Sequence, residues 1–531
     1  MQTYAYGFPR LGRAKEYKKG IEDFWKGRIQ EDVLIQTLSQ LQADQQKTYR
    51  KHIDIFPEGE MTFYDAMLDT AILCGVYSPR DLKAYYELCR GDDALEMTKW
   101  FNTNYHYLVP DFRRTPVPCF RVNRENVALR FQRGAFPKFI GPFTFLKLSK
   151  GIRREDFSRV FLALMEVYHD LLLHCEKAQL DEPAFVLDLE NDEIELIKTG
   201  YRLLKDCGHK IILMTYYDAV DFMEELLSLP VSAIGLDFVR GGSSYQYIVQ
   251  HGFPKDKTLI AGLVDGRNIW KTDAAAAVAK LRALSQKTPN LMVSNAAPLY
   301  HLPLTVSVED TLDEHLKTRL AFAEEKLAEI RMIADCVEGR RAIPEKVVLE
   351  DYGRDQKVQS RIRSLRPKDF VKGVSPQERR RRQEALWKPP LFPATTIGSF
   401  PQSAEVRAKR AAYKSGRLSH SDYQAYLRGE IDKLIQFQED LGLDVLVHGE
   451  FERTDMVEFF AQKLSGFAVT QNGWVISYGT RVYRPPIIFG DVSRPAPMTL
   501  DEIAYAQTKT KKPVKGMLTG PVTMLQWSFV R

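Results

Sequence analysis

The sequence predicts a duplicated (βα)8 barrel of the TIM type, complete in a first copy and stopping after about three βα units in a second. Three observations predict it. A set of landmarks occurs twice in one order. Gly7-Phe8-Pro9-Arg10, Gly59-Glu60 with Asp65, and Gly141-Pro142-Phe143-Thr144-Phe145-Leu146 are followed by Gly398-Ser399-Phe400-Pro401-Gln402, Gly449-Glu450 with Asp455, and Gly520-Pro521-Val522-Thr523-Met524-Leu525. The copies lie roughly 380 to 390 residues apart in an order that chance composition rarely gives, so the reading is gene duplication. Between residues 177 and 300, short apolar runs alternate with amphipathic ones at roughly 25 to 30 residues, the signature of a parallel βα architecture. Polar or acidic residues close several of those runs, which suits a barrel working at its strand carboxyl ends. An open doubly wound sheet is the alternative, but no Gly-x-Gly-x-x-Gly follows a strand.

The predicted strands in that stretch are Ala178-Gln179-Leu180, Lys210 to Met214, Ala233 to Leu236, Thr258 to Leu263 and Leu291-Met292-Val293. Helices are predicted over Asp192 to Cys207, Asp218 to Leu229 and Thr272 to Ser285. Asp181-Glu182, Thr215 to Asp218, Asp237 and Asp265 stand at strand ends. The first barrel is placed at residues 1–340. Residues 341–393, rich in charge and ending Trp387-Lys388-Pro389-Pro390-Leu391-Phe392-Pro393, read as a linker, because prolines deny the backbone donors a central element needs. The second barrel is placed at 394–531. A piece of that size leaves an unpaired parallel edge and an uncovered apolar face, so it should aggregate, stay partly molten or lean on the first barrel.

A chain that is 44% hydrophobic and 27% charged has the profile of a soluble globular protein of two or three domains. No run of 18 apolar residues exists, and the first residues lack a charged and then apolar leader, so a cytoplasmic protein is expected. Cys74, Cys89, Cys119, Cys175, Cys207 and Cys336 are scattered without a Cys-x-x-Cys pair and read as reduced, mostly buried thiols. A net charge of +6, from 75 Lys and Arg against 69 Asp and Glu, falls short of a nucleic-acid-binding stripe. The run Arg379 to Arg382 is the exception. Acidic neighbours at Glu378 and Glu384 make it read as a solvated linker helix, with a polyanion contact as the alternative.

Four segments carry candidate chemistry. Ala394 to Phe400 reads as a strand opening into a loop, where Gly398 lets backbone amides approach a small carboxylate; a plain turn is the bland alternative. Asp444 to Glu450 is an apolar strand ending in His448 and Glu450, a carboxylate suited to a substrate ammonium, against a surface Glu and a structural His. Arg10, Arg13, Lys15, Lys18 and Lys19 could hold a polyanionic tail or form an exposed basic helix face. Met97 to Tyr107 sets aromatics around amides and Lys99, either a stacking surface or a buried aromatic cluster.

With these segments, Gln471-Asn472-Gly473-Trp474 and Val514 to Ser528 make the chain resemble cobalamin-independent methionine synthase over essentially its whole length. The resemblance implies a duplicated double barrel that moves a methyl group from 5-methyltetrahydrofolate polyglutamate to homocysteine, with zinc holding the thiolate and no cobalamin. It implies that Ile397, Gly398 and Ser399 hold the homocysteine carboxylate and Glu450 its ammonium. It further implies that Lys15, Glu16, Tyr17, Lys18 and Lys99 meet the folate and its glutamate tail. Arg481 and Val482 match a folate-contacting pair, and Trp527 an aromatic for the pterin. Small-molecule substrates, no nucleic acid, no membrane and a monomer are expected.

One departure matters. The family's zinc ligands and acid-base His would lie beyond Arg531, and the first barrel's strand ends, Thr215-Tyr216-Tyr217 and Asn295-Ala296-Ala297, offer no thiolates. No catalytic residue and no metal ligand are therefore assigned, and no turnover is expected from the chain alone. A thiol with a pKa of about 8.5 is a poor nucleophile without metal, and the methyl donor's amine needs an acid to leave. The alternative reading is a non-catalytic folate-polyglutamate binding remnant. A porphyrinogen decarboxylase of similar fold is a third class, by analogy alone.

Overall fold

The computed structural model describes residues 1–114, 120–347, 352–388 and 390–531; Cys119 and Pro389 lie outside them. It divides into two compact units, Met1–Val348 with Gln471–Arg484, and Leu349–Thr470 with Pro485–Arg531.

In the first unit, seven strands form one parallel sheet. They are Gln2–Thr3, Lys138–Ile140, Ala178–Asp181, Ile211–Met214, Ala233–Asp237, Thr258–Val264 and Leu291–Asn295, and from Lys138–Ile140 onward each pairs with the next. Gln2–Thr3 pairs with Leu291–Asn295, so first meets last. The gap is closed by residues 55–59, since Tyr4 bridges Ile55 and Gly59 bridges Pro137, both in parallel. The eight segments make a closed barrel, which removes sheet edges altogether. Its strands read as continuous apolar runs because both faces are covered: every residue of Ala178–Asp181, Ile211–Met214 and Ala233–Asp237 is buried.

Parallel strands need long crossovers, and helices supply them. Arg154–Leu173 buries Val160, Phe161, Leu164, Met165, Tyr168, Leu171 and Leu172, an i, i+3, i+4 stripe. Burying each large apolar side chain contributes about 1.5–3 kcal/mol, and Leu164→Ala would cost about 2–5 kcal/mol. Asp273 caps Ala274–Ser285 by accepting from the Ala276 amide, and Gly252, at φ +88°, ends Gly242–His251 in a conformation that favours glycine.

The strands predicted between residues 177 and 300 all fall on observed ones, whereas Ala394 to Phe400 and Asp444 to Glu450, also read as strands, are joined only by isolated parallel bridges. The helix expected from Asp218 starts only at Met223. The cause is tertiary: the amide of Tyr217 donates to Asp237 Oδ2 and that of Val220 to Ser244 Oγ, holding the intervening residues in a strand-end loop.

The second unit repeats the opening of the design. Thr395 and Ser399 bridge Val445 and Gly449 in parallel, and Leu446 bridges Val514. The helices Ala404–Lys414 and His420–Asp440 cover these segments, around a core of Val406, Tyr423, Leu427, Ile431, Leu434, Ile435, Leu446 and Phe451. Ser465–Ala468 pairs antiparallel with Ile487–Ser493, which pairs in parallel with Phe529–Val530. The local devices are duplicated too. Asp65 caps Ala66–Leu73 through the Met67 and Leu68 amides, and Asp455 caps Met456–Ala461 through the Val457 and Glu458 amides. Pro142 and Pro521 each open a short helix at its first position, where the missing N–H costs nothing.

The arginine run lies on the helix Pro376–Trp387, which has no buried residue. Arg380 pairs with Glu384, and Arg381 and Arg382 with Glu378, as expected of a solvated helix. No described helix is long and apolar enough to cross a membrane.

Candidate functional site

In the second unit the predicted ligand groups converge. Ser399 and Gly449 are bridged, and the Phe400 amide donates to the Gly449 carbonyl, which sets the end of one strand beside the end of the next. Gly398 has φ +139°. A Cβ built there would lie 2.8 Å from Glu450 Oε1 and 2.7 Å from Met517 Cγ, so only glycine lets the loop pass this close to the carboxylate. Glu450 itself has φ +59°, an uncommon conformation for a residue with a side chain and one that turns the carboxylate toward the loop. The amides of Ile397, Gly398 and Ser399 donate to no protein group among the described residues. Free amides next to a carboxylate form a seat for a zwitterion: the amides suit its carboxylate, the carboxylate suits its ammonium. Arg453 Nε lies 3.5 Å from Glu450 Oε2.

His448, in the same strand, is buried, with Nε2 3.2 Å from Glu452 Oε1 and no partner on Nδ1. Burial raises the Glu452 pKa, but the bond from His448 and the charges of His448 and Arg453 outweigh it and hold the carboxyl below its ordinary value. Arg453 Nη2 lies 3.5 Å from His448 Nε2, where it repels a cation. Among the described residues no three His, Cys, Asp or Glu side chains are arranged to hold a metal. These residues do not fit a zinc ion.

Trp527 ends the helix Pro521–Gln526 and packs against the cluster of Val457, Phe460, Ala461 and Met524.

The tail-binding candidates meet in the first unit. Lys15, at φ +63°, precedes the helix Glu16–Trp25. Its ammonium sits 3.6 Å from the centroid of the Trp474 ring, and the Arg484 guanidinium lies 4.7 Å from the same centroid. Trp474 belongs to Gln471–Arg484, the segment that joins the first unit although its sequence lies within 394–531. Buried Glu309 explains why: its carboxylate accepts from the Gln471 amide at 2.6 Å and the Asn472 amide at 2.9 Å. Thr480 Oγ1 donates to Glu22 on the Lys15 helix, and Ser477 Oγ to the Asn104 carbonyl beside the Lys99 hairpin, Met97–Lys99 with His106–Leu108.

The hairpin Val475–Tyr478 with Arg481–Tyr483 thus brings Arg481 and Val482 onto the elements that carry Lys15, Lys18 and Lys99. Burial lowers the Lys15 pKa, and the charges of Lys18, Arg484 and Lys19 lower it further, as in a crowd of cations lacking its anion. Glu16 accepts from the Ala14 amide at 3.0 Å. The Tyr17 ring is fully buried beneath Arg10, 5.2 Å away, so its side chain does not join the lysines. Trp100, Tyr105 and Tyr107 are buried as well, which makes most of the Met97 to Tyr107 aromatics core.

The first barrel's own strand ends enclose a cavity of about 70 Å³ lined by Glu60, Lys138, Asp181 and Tyr216 among others. Glu60 accepts from the Gly7 amide at 2.5 Å, the Phe8 amide at 3.4 Å and the Tyr49 hydroxyl at 2.7 Å. Lys138 Nζ lies 3.7 Å from Glu60 and 3.2 Å from Asp181. Sequence reasoning noted Asp181 and Glu60 but missed Lys138.

Two strand-end sites built on one repeated design define a duplicated parallel-barrel enzyme of two parts. Family models match both parts: "Cobalamin-independent synthase, N-terminal domain" over residues 2–289 and "Cobalamin-independent synthase, Catalytic domain" over residues 392–531. The chain belongs to the cobalamin-independent methionine synthase family, whose members are methyltransferases. It is 45% identical to the 5-methyltetrahydropteroyltriglutamate–homocysteine methyltransferase of Thermotoga petrophila, over 100% of this chain and 74% of that protein. The proteins of that name from Thermodesulfovibrio yellowstonii and Halalkalibacterium halodurans are 41% and 39% identical, with the same coverage. The solved structure of a B12-independent methionine synthase from Shewanella aligns at 13% identity over 59% of this chain and 92% of that one, with a TM-score of 0.40.

Proposed function

We propose that this chain seats the two substrates of methyl transfer from 5-methyltetrahydropteroyl polyglutamate to homocysteine. The amides of Ile397, Gly398 and Ser399 take the amino acid's carboxylate and Glu450 its ammonium. Lys15 and Lys18, with Lys99 and the Arg481-Val482 strand, take the glutamate tail, and Trp527 offers a face to the pterin. The observation that carries this reading is the approach of Gly398 to Glu450 beside three unused amides. A zwitterion needs both signs of partner within a few ångströms, and charge-assisted hydrogen bonds of this kind contribute about 1.5–3 kcal/mol.

These residues bind and orient; none of them deprotonates the thiol or protonates the leaving amine. Zinc would supply the thiolate, but the side chains around His448 do not fit it, so the chain alone is expected to bind without turning over. Calorimetry with homocysteine tests the seat. Glu450→Gln should weaken binding about ten- to a hundredfold. Equal affinity in wild type and variant removes the reading. Metal analysis after dialysis tests the rest, and one tightly held zinc per chain would overturn it.

The lysine and Trp474 cluster supports a second reading, a folate-polyglutamate binding module without chemistry. Under it, triglutamate binds, weakening as salt rises, while homocysteine does not.

A further inference from the structure

Lys138 sits where the first barrel has every reason to hold a ligand's ammonium. Glu60 occupies the repeat position of Glu450, directly after a glycine at a strand end. Lys138 follows Pro137, which is bridged to Gly59, the residue before Glu60. In the second unit the residue three before the Gly-Pro landmark, where Lys138 stands in the first, is the uncharged Met517, and Glu450 lies beside the unused amides. In the first unit Lys138 turns inward. Its Nζ approaches Glu60 and Asp181 and lies 5.8 Å and 5.9 Å from the ring centroids of Tyr6 and Tyr300. Carboxylates with aromatic faces around one nitrogen make a box for an ammonium.

The remaining hydrogen-bonding capacity is used up. Asp181 also accepts from Gln179 Nε2 at 2.5 Å and from the Tyr216 hydroxyl at 2.9 Å. Glu60 takes the Gly7 and Phe8 amides, whereas the amides of Gly398 and Ser399 in the second copy's entry loop are unused. An incoming zwitterion would find both its carboxylate donors and its ammonium acceptors engaged.

We propose that the first barrel retains a seat for a primary ammonium and that the chain fills it with its own Lys138, which silences that barrel toward amino-acid ligands. The seat stands on the geometry of the first unit and does not depend on what the second unit binds.

The test is chemical rescue in the full chain. Lys138→Ala deletes three methylenes and the nitrogen, the shape of n-propylammonium. Thermal melts of Lys138→Ala should rise by about 5 °C or more, saturably, as n-propylammonium chloride is added. Tetramethylammonium chloride at equal ionic strength has no N–H donor and should not reproduce the rise. The wild type, its seat filled, should show no such response, and the double variant Glu60→Gln with Lys138→Ala should lose it. If Lys138→Ala does not fold by itself, the yield of folded chain on refolding with each salt gives the same comparison. A rise equal in both salts, or absent with n-propylammonium, overturns the proposal.

Discussion

Glu60 and Glu450 occupy matching positions in two copies of one design, and their surroundings differ at three points. Glu60 accepts from the two amides of its own entry loop, whereas the amides of Gly398 and Ser399 are unused. Glu60 has a lysine drawn to it, whereas the position matching Lys138, counted from the Gly-Pro landmark, is the uncharged Met517. Gly7 is held by the Pro298 backbone, with a built Cβ only 2.7 Å from Pro298 Cα, whereas Gly398 is pressed against Glu450 and Met517. The difference teaches that a ligand seat is lost without losing its acid: it is enough that internal donors saturate the carboxylate. A saturated carboxylate stabilises the fold, and an unsaturated one is held available for a ligand.

The largest expected effect breaks the comparison at Lys138. Lys138→Met leaves two buried carboxylates facing each other and should destabilise the first unit by about 3–5 kcal/mol. Lys515→Met, in the second unit, loses one bond to the Thr396 carbonyl and should cost about 1 kcal/mol. Denaturant melts of both variants measure the difference, and equal losses would erase the distinction.

The glycines come next. Gly398→Ala places a methyl against Glu450 Oε1 in a strained conformation, and homocysteine affinity should fall more than about tenfold, a loss near 1.4 kcal/mol. Gly7→Ala should lower stability instead and leave the second unit's ligand affinity unchanged, because its neighbours are Pro298 and Leu299. Calorimetry and melting of the pair separate the two effects.

A third test concerns Glu182, which follows the strand Ala178–Asp181. It binds the Phe143 and Thr144 amides and the Thr144 and Tyr201 hydroxyls, anchoring Pro142–Lys147. A Cβ on Gly141 would strike it, whereas Gly520 has open space around it. Burial pushes the Glu182 pKa up to about 7, against the pull of those donors. The folded chain therefore holds a proton that the unfolded chain releases near pH 4.3. Stability from this group is present below about pH 4.3 and is lost as pH rises toward about 7. Glu182→Gln should remove that downward slope in melts taken from pH 5 to pH 8.

The smallest effect probes the basic cluster. Trp474→Leu removes the ring beneath Lys15 and Arg484, a contact worth about 0.5–1 kcal/mol at a partly exposed site. Triglutamate affinity should drop about two- to fivefold, with Trp474→Phe in between and the salt dependence retained. Unchanged affinity would detach the hairpin from tail binding.

Much of this was legible in the chain. Alternation of apolar runs gave the strands because a barrel strand buried on both faces must be apolar throughout. Asp65 and Asp455 were legible as matching landmarks, and the structure shows each capping a helix through amides two and three residues on. The loop at Tyr217 was not legible, since Asp237 and Ser244, which hold it, come from later elements. The inward Tyr17 also escaped, because its neighbours in sequence are exposed lysines and only packing against Arg10 decides its direction.

By itself, then, the sequence determined the repeat, the barrel and the position of each candidate acid and glycine, because these rest on local conformation and apolar periodicity. Only the tertiary structure decided that Gln471–Arg484 joins the first unit and that Lys138 turns to Glu60 and Asp181. The reason is physical: the energy of a charge depends on the groups within a few ångströms of it, and groups far apart in the chain become neighbours only when it folds.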